Sequence, residues 1–181
     1  MIVGAPGTGK STLGRALARQ LGAALVDRDT FYAPLAAVAL EQTGHDPADL
    51  DSDVGKALSA AAYQAGEDLA GEIVSAGCPV VLVAPYSGRA RPGWRDRLDR
   101  LDAQVHVVWL DGPFRLLHDR ITERGAARDA ATLASWDRFV ALAQMGPPVG
   151  AHVRVDAALE TDEALAAILR AMNGRPDLPV P

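Results

Sequence analysis

The sequence predicts an α/β domain with a mainly parallel sheet and helices on both of its faces. Apolar segments typical of buried strands alternate with helical segments along the chain, and a glycine-rich turn joins the first strand to the first helix. The length of 181 residues suits one domain with a sizeable core. We expect that domain to span residues 1–173, with extra structure limited to lids or insertions, and residues 174–181 to form a flexible, proline-rich tail.

Short apolar runs bounded by turn residues define the expected strands. The clearest run is 79–84, whose continuous apolar character is typical of a strand buried on both faces. The first run is short for a central strand, so we expect either a truncated strand or a native start upstream of Met1. The expected strands are 1–3, 23–26, 79–84, 104–110 and 151–155.

Helical spacing of apolar residues defines the segments between the strands. Leu13, Leu17 and Leu21, for example, fall on one face of the first helix. Asp46 and Thr161 are the expected N-caps of two later helices, because their side chains can accept hydrogen bonds from first-turn amides. The expected helices are 11–21, 53–76, 93–101, 113–124, 129–144 and 161–172, with an interrupted helical pattern over 31–50.

Composition and charge disfavour several classes of protein. The net charge of -5 argues against a general nucleic-acid-binding surface, so we expect no nucleic-acid partner. No apolar run approaches the roughly 20 residues that a membrane span needs, so we expect no membrane partner and a cytoplasmic location. The single cysteine, Cys78, cannot form an internal disulfide and is expected to be a packing residue. The sequence is compatible with either a monomer or a homodimer.

Residues 4–11, Gly-Ala-Pro-Gly-Thr-Gly-Lys-Ser, form a complete phosphate-binding loop between the first strand and the first helix. The glycines let backbone N–H groups approach a polyphosphate closely, and the helix adds the positive end of its dipole. Lys10 is expected to reach the β- and γ-phosphates, and the Ser11 hydroxyl to bind Mg²⁺. The loop therefore predicts a site for ATP and Mg²⁺, with nucleotide contacts from Gly7, Thr8, Gly9, Lys10, Ser11 and Thr12.

Three different roles for this glycine-rich loop are disfavoured by the surrounding sequence. A turn without a ligand is disfavoured because a strand and a helix flank the loop as a phosphate site requires. The glycines do not form Gly-x-Gly-x-x-Gly, so a dinucleotide-binding fingerprint is absent. A GTPase would need an Asn/Thr-Lys-x-Asp sequence to recognise guanine, and neither Lys10 nor Lys56 lies in one.

Three further features resemble a known family. Asp27 and Asp29 follow the second strand, a helical insertion comes next, and an arginine-bearing segment lies at 120–129. Together with the phosphate loop, these features resemble the small-molecule kinases related to shikimate kinase, gluconate kinase and adenylate kinase. The stretch 107–129 is also similar to uncharacterised kinase-like ATPases.

This resemblance implies a three-layer P-loop NTPase fold whose five-stranded parallel sheet has the order 2-3-1-4-5, with a substrate lid at about 31–66 and an ATP lid at about 120–132. It also implies that Asp27 supports Mg²⁺ through water and that Asp29 contacts the acceptor hydroxyl as a base. A strand end beside the phosphate loop is a suitable place for such a base. The alternative is that Asp29 only caps a helix beginning near Phe31.

Phosphoryl transfer needs positive charge near the transferred group, and arginine usually supplies it. Arg124 ends a predicted helix and Arg128 lies four residues later, just past the break at Gly125, so both are candidate catalytic residues. Arg120 lies one turn earlier, and two roles stay open for it: convergence on the nucleotide with the other two arginines, or a solvent-facing position beside Asp119 and Glu123.

The acceptor site is predicted from the third strand. Tyr86, Arg89 and Arg91 follow its carboxyl end, where ligands bind in open α/β sheets, so they are candidate acceptor contacts. Trp94 and Trp136 are expected to be packing residues. The sequence favours transfer of the ATP γ-phosphate to a hydroxyl of a small-molecule acceptor such as a sugar, a nucleoside or an antibiotic-like compound. A nucleotide or polynucleotide 5′-hydroxyl kinase, and a nucleotide-binding regulator or ATPase without an acceptor, stay open as alternatives.

Overall fold

The computed structural model describes residues 1–47, 49–50, 52–86, 93–101, 103–126, 129–143, 147–148 and 150–174, so most of the predicted tail lies outside the described residues. The strands are β1 (Ile2–Gly4), β2 (Ala24–Asp27), β3 (Val80–Val83), β4 (Val108–Asp111) and β5 (Val153–Asp156). The helices are α1 (Lys10–Leu21), α2 (Arg28–Gln42), α3 (Asp53–Ser75), α4 (Trp94–Leu98), α5 (Phe114–Arg124), α6 (Ala130–Ala134), α7 (Trp136–Ala143) and α8 (Thr161–Met172). Within these described ranges, no helix is long and apolar enough to cross a bilayer.

The five strands form one sheet in the order β2-β3-β1-β4-β5, and each pair of neighbours is parallel. β1 lies at the centre, where Ile2 is opposite Val83 on one side and Val108 on the other. The predicted fold class and strand order are therefore confirmed. Because parallel strands end at the same edge of a sheet, the segments that follow β1, β2 and β3 lie close together.

Helices cover both faces of the sheet. On one face, α1 and α8 contribute Leu13, Leu17 and Ile168 to a buried cluster. On the other face, α3 and α4 contribute Ala70 and Leu98 to a second cluster. Fully burying one such leucine or isoleucine side chain contributes about 1.5–3 kcal/mol. The two-sided burial explains why the central strands are apolar at every position rather than at alternate ones.

Helix α2 begins directly after β2, earlier than the sequence pattern suggested. Its N-cap is Asp27, whose carboxylate accepts a hydrogen bond from the Asp29 N–H at 3.2 Å. The helix therefore starts at Arg28 and not near Phe31, and the capping carboxylate belongs to Asp27 and not to Asp29. This leaves Asp29 in the first turn of α2, next to the edge of the sheet that carries the phosphate loop.

Other helix boundaries also differ from the expected ones. The N-cap of α3 is Ser52, whose hydroxyl accepts from the Gly55 N–H at 3.1 Å, so the cap predicted at Asp46 is wrong. The N-cap of α8 is Glu160, which makes Thr161 the first helical residue and not the cap. The long helix predicted before the last strand is divided into α6 and α7. The assignment of the insertion and of the arginine-bearing segment as lids stays a prediction.

Gly14 lets α1 lie close against β3. A Cβ at this position would be 2.5 Å from the Val83 Cγ2 atom, and Val83 is 1% exposed with a short, branched side chain. We expect Gly14→Ala to lower the free energy of unfolding by about 1–3 kcal/mol, because overpacking forces the helix away from the sheet. Urea denaturation measures the free energy of unfolding of each variant. Gly66→Ala on α3 is the matched control, since its Cβ would meet other side chains no closer than 3.5 Å; equal stability of the two variants would contradict the prediction.

Candidate functional site

The predicted phosphate loop connects β1 to α1. Gly4, Gly7 and Gly9 have φ angles of +150°, +84° and +87°, which favour glycine over other residues. A Cβ would lie 2.5 Å from the Leu110 carbonyl oxygen at Gly4, and 2.7 Å from the Leu117 carbonyl oxygen at Gly7. The loop backbone is therefore packed directly against β4 and α5, and side chains at these two glycines would push it out.

The start of α1 concentrates positive potential at the loop. Hydrogen bonds of the helical type begin with the Leu13 N–H and the Gly9 carbonyl, at 3.0 Å, so the earlier first-turn amides have no acceptor within the helix. Lys10 Nζ donates to the Ala5 carbonyl oxygen at 2.7 Å, and Thr8 Oγ1 donates to the same oxygen at 2.8 Å. The lysine ammonium group is thus held across the loop, beside the positive end of the helix dipole.

A pocket of about 620 Å³ opens between the phosphate loop and the segment that follows β2. Its lining includes Lys10 and Ser11 from the loop and Asp29 from α2, which the sequence analysis had predicted from separate parts of the chain. The Asp29 side chain is 35% exposed. Tyr32 and Leu50 add apolar surface to the pocket. The pocket therefore combines cationic and hydroxyl groups of the loop with an accessible carboxylate.

A smaller pocket of about 270 Å³ also borders the loop, and its lining includes Thr12, Ala157 and Thr161. Arg120 lines it too, and its Nη1 donates to the Ala157 carbonyl oxygen at 2.8 Å. Of the two roles left open for Arg120, the solvent-facing one is therefore disfavoured, because the loop after β5 provides its partner. Arg124 lines both the larger and the smaller pocket.

The chain matches a known protein family. A family model described as an AAA domain, AAA_33, matches residues 1–145, which is most of the chain. The chain belongs to the AAA_33 family. No curated protein sequence matches it significantly.

Several solved structures share the fold of this AAA_33 domain. A sugar kinase from Janibacter sp. HTCC2649 superposes with a TM-score of 0.69 at 19% identity, covering 95% of this chain and 92% of that one. A gluconokinase from Sinorhizobium meliloti 1021 has a TM-score of 0.59 at 24% identity, with 96% and 92% covered. A shikimate kinase from Aquifex aeolicus has a TM-score of 0.52 at 18% identity, with 96% and 94% covered. The resemblance to P-loop small-molecule kinases is thereby confirmed at the level of fold.

Asp27 and Asp29, which are predicted to act together, have different surroundings in the AAA_33 domain. Asp27 is 7% exposed and uses one carboxylate oxygen as the α2 cap, whereas Asp29 lines the larger pocket. Between them, Arg28 also lines this pocket and is only 5% exposed, and it is a site residue that was not predicted from the sequence. A basic residue between two acids, with aromatic residues three and four positions later, is the signal that could have drawn attention to it.

The arginines of the predicted ATP lid are partly described. Arg124 forms two hydrogen bonds with the Asp129 carboxylate, from Nε and Nη2, both at 2.8 Å. Asp129 is 5% exposed whereas the Arg124 side chain is 40% exposed, so the pair joins a buried carboxylate to a partly exposed guanidinium group. Arg128 lies outside the described residues, and its catalytic role stays a prediction. The structure thus places Arg124 at both pockets, with its guanidinium group held by Asp129.

Tyr86 is buried in the core and does not lie at the predicted acceptor site. It is 3% exposed, its hydroxyl donates to Glu67 Oε1 at 2.9 Å, and its ring packs 4.8 Å from that of Tyr63 and 5.3 Å from that of Trp94. The prediction of an acceptor contact at Tyr86 is wrong, because α3 and α4 enclose the residue, while the packing role of Trp94 is confirmed. Arg97 also binds Glu67, and this hydrogen bond raises the pKa of the Arg97 guanidinium group.

Other predicted residues have mixed outcomes. Arg89 and Arg91 lie outside the described residues, so their contact with an acceptor stays a prediction. The Trp136 ring packs 4.9 Å from the Phe139 ring, which confirms its packing role. Cys78 is exposed in the turn between α3 and β3, so its expected packing role is wrong.

Proposed function

We propose that this AAA_33 domain is an ATP-dependent phosphotransferase that moves the γ-phosphate of ATP to a hydroxyl group of a small metabolite. One observation carries the proposal: the Asp29 carboxylate shares a pocket with Lys10 and Ser11 of the phosphate loop. A phosphate loop alone suits any nucleoside triphosphatase, whereas a nearby carboxylate can accept the proton of an incoming hydroxyl. The structurally similar sugar kinase, gluconokinase and shikimate kinase are consistent with this reaction class.

ATP is proposed to bind across the loop, with its triphosphate over the start of α1 and its nucleoside in the smaller pocket. The first-turn amides and the helix dipole would bind phosphate oxygens. Lys10 would exchange its hydrogen bond to the Ala5 carbonyl for charge-assisted bonds to the β- and γ-phosphates. Arg120 and the Ala157 carbonyl, which already contact each other, lie where they would border the base.

Mg²⁺ is the proposed cofactor, and the residues present fit it in part. Ser11 lines the larger pocket and offers a hydroxyl oxygen, a suitable ligand for this ion. Asp27 has one oxygen engaged as a helix cap, so its support through water would use the other. In the part of the chain that the structure describes, no three histidine, cysteine or acidic side chains cluster as a metal site. The remaining ligands would therefore be phosphate oxygens and water, which Mg²⁺ commonly retains.

The transfer step follows from the position of Asp29. The acceptor hydroxyl would lie between Asp29 and the γ-phosphate, and its oxygen would attack the phosphorus as Asp29 accepts the proton. The bond between the γ-phosphorus and the bridging oxygen would break, and ADP would leave. Arg124 would stabilise the charge on the transferred group after exchanging Asp129 for phosphate oxygens, with Arg128 assisting. Such an exchange would require movement of the 120–132 segment.

The pocket suggests the kind of acceptor. Tyr32, Ala33 and Leu50 provide apolar surface, while Asp29 and Asp46 provide carboxylates that can bind hydroxyl groups. This mixture suits a compact carbon skeleton with several hydroxyls, such as a sugar, a nucleoside or an antibiotic-like compound. The volume of about 620 Å³ is within the range of small-molecule sites.

Labelled ATP tests the proposed function directly. Protein incubated with Mg²⁺, γ-labelled ATP and a small-molecule cell extract should transfer the label to a metabolite, which chromatography separates from inorganic phosphate. Label found only as inorganic phosphate would contradict the proposal and favour an ATPase or regulator. Label on added nucleotides or oligonucleotide 5′-ends would instead favour the alternative kinase classes. Thermal shifts with hydroxylated metabolites and a non-hydrolysable ATP analogue would then identify the acceptor.

A further inference from the structure

Arg28, the first residue of α2, is a buried cation beside the proposed catalytic carboxylate. Its side chain is 7% exposed. The guanidinium carbon lies 4.0 Å from the ring centroid of Tyr32 and 4.3 Å from that of Tyr63, so two aromatic faces contact the charged group. Tyr32 belongs to α2 and Tyr63 to α3. The planar group is therefore restrained by both helices of the insertion.

The hydrogen bonds of Arg28 aim this restrained group at Asp29. Its Nη1 donates to Asp29 Oδ1 at 3.1 Å, and its Nη2 donates to the Ser59 hydroxyl on α3 at 2.5 Å. The Nε atom is buried without a hydrogen-bond partner among the described residues. A charged group held with an unsatisfied donor is costly to bury, which argues against a purely stabilising role. The arrangement instead keeps Nη1 of the guanidinium group on the Asp29 carboxylate.

We propose that Arg28 is a positioning residue for Asp29, an inference that rests on the proposed function. Arg28 binds Oδ1 and thereby presents Oδ2 to the acceptor hydroxyl. Because Ser59 and Tyr63 hold the guanidinium group, the position of α3 determines the orientation of the base. The substrate-side insertion is in this way linked to the catalytic carboxylate through one side chain.

Direct recognition of the acceptor by Arg28 is less consistent with the structure. The side chain of Asp29 is 35% exposed, against 7% for Arg28, so the carboxylate is the more accessible group. Two faces of tyrosine rings and the Ser59 hydroxyl also occupy the surroundings of the guanidinium group. An indirect role predicts that removal of Arg28 matters only while Asp29 is present, which a double-mutant cycle can measure.

The experiment compares Arg28→Gln, Asp29→Asn and the double variant. The rate measured is release or transfer of γ-phosphate from labelled ATP with Mg²⁺, because water can take the place of the acceptor hydroxyl. We expect Arg28→Gln to lower kcat by about 10- to 100-fold with little change in the KM for ATP, as a misplaced catalytic group costs rate rather than nucleotide binding. The double variant should be no slower than Asp29→Asn alone.

Each outcome bears on a different claim. Wild-type kcat in Arg28→Gln together with an inactive Asp29→Asn would overturn the role of Arg28 and leave the proposed function intact. A double variant slowed by the product of the single effects would also overturn it, since Arg28 would then act independently of Asp29. Full activity of Asp29→Asn would instead overturn the base assignment in the proposed function. Arg154→Gln is the control, because Arg154 forms an exposed arginine–aspartate pair with Asp111, and its rate should match wild type.

Loss of folding is distinguished by rescue. Should Arg28→Gln unfold, Arg28→Lys keeps a cation between the tyrosine rings but cannot reproduce the paired donors, so it should fold and stay about 10-fold slower than wild type. Guanidinium chloride at low millimolar concentration should restore part of the rate of Arg28→Ala, with thermal unfolding of each variant measured in parallel. Wild-type activity of Arg28→Lys, or no rescue of a folded Arg28→Ala, would contradict the inference.

Discussion

Asp29→Asn is expected to lower phosphoryl transfer by about 10²–10⁴-fold while leaving ATP affinity near that of wild type. The amide keeps the size of the side chain but cannot accept the hydroxyl proton. Asp29 lies in the first turn of α2 and lines the larger pocket, whereas the phosphate loop supplies the proposed nucleotide contacts. Transfer of labelled γ-phosphate measures the rate, and calorimetry with a non-hydrolysable ATP analogue measures the affinity.

Asp68→Asn is a suitable control for this prediction. Asp68 is an exposed residue of α3 whose carboxylate accepts from Gln64 Nε2 at 2.7 Å. The same change of charge at this surface site should leave the transfer rate unchanged. Turnover of Asp29→Asn equal to that of the Asp68 variant would reject Asp29 as the base, and a loss of ATP affinity in Asp29→Asn would mean that this residue acts in nucleotide binding.

Lys10→Ala is expected to abolish turnover. In the structure, the ammonium group is 2.7 Å from the Ala5 carbonyl oxygen, within the loop that would enclose the phosphates. Removing a charge-assisted interaction of this kind costs about 1.5–3 kcal/mol, or roughly 10- to 150-fold in affinity for ATP. The loss of charge stabilisation during transfer should lower kcat as well. Steady-state kinetics and calorimetry separate the two effects.

The chain provides its own control for Lys10, since Lys56 is the other lysine in the sequence. Lys56 lies on α3, its side chain is 65% exposed, and its nearest acidic partner is Asp53 at 3.8 Å. Surface pairs of this kind contribute little to stability, so Lys56→Ala should behave as wild type. Normal turnover in Lys10→Ala would be inconsistent with nucleotide binding at the loop, and with it the whole proposal would fail.

Much of the fold was predictable because its signals are local. The continuous apolar run at 79–84 predicted β3, observed as Val80–Val83, and the spacing of apolar residues over 11–21 predicted α1, observed as Lys10–Leu21. Helix starts were predicted less well. Asp46 and Ser52 both precede helical sequence and both carry capping side chains, but only the Ser52 hydroxyl caps α3. Propensity alone does not distinguish two such candidates a few residues apart.

In the proposed site, too, features set by local sequence were predicted better than features set by packing. The phosphate loop was predictable residue by residue, because its glycines meet a backbone requirement that β1 and α1 create locally. The Asp27-x-Asp29 pattern predicted the site only in part, since Asp27 caps α2 whereas Asp29 lines the larger pocket. Tyr86 was misplaced because a residue after a strand can point to the ligand edge or into the core, and the neighbouring helices decide which.

The sequence by itself determined the alternation of strands and helices and the phosphate loop, because these depend on residues close together in the chain. Tertiary structure alone decided the distant hydrogen-bond partners of Arg28, Tyr86 and Arg120, which are Ser59, Glu67 and the Ala157 carbonyl, 31, 19 and 37 positions away. Such contacts follow from how helices pack on the sheet and on each other. A polar side chain that could bind either an exposed or a buried group forms its hydrogen bond with the group that packing brings within reach.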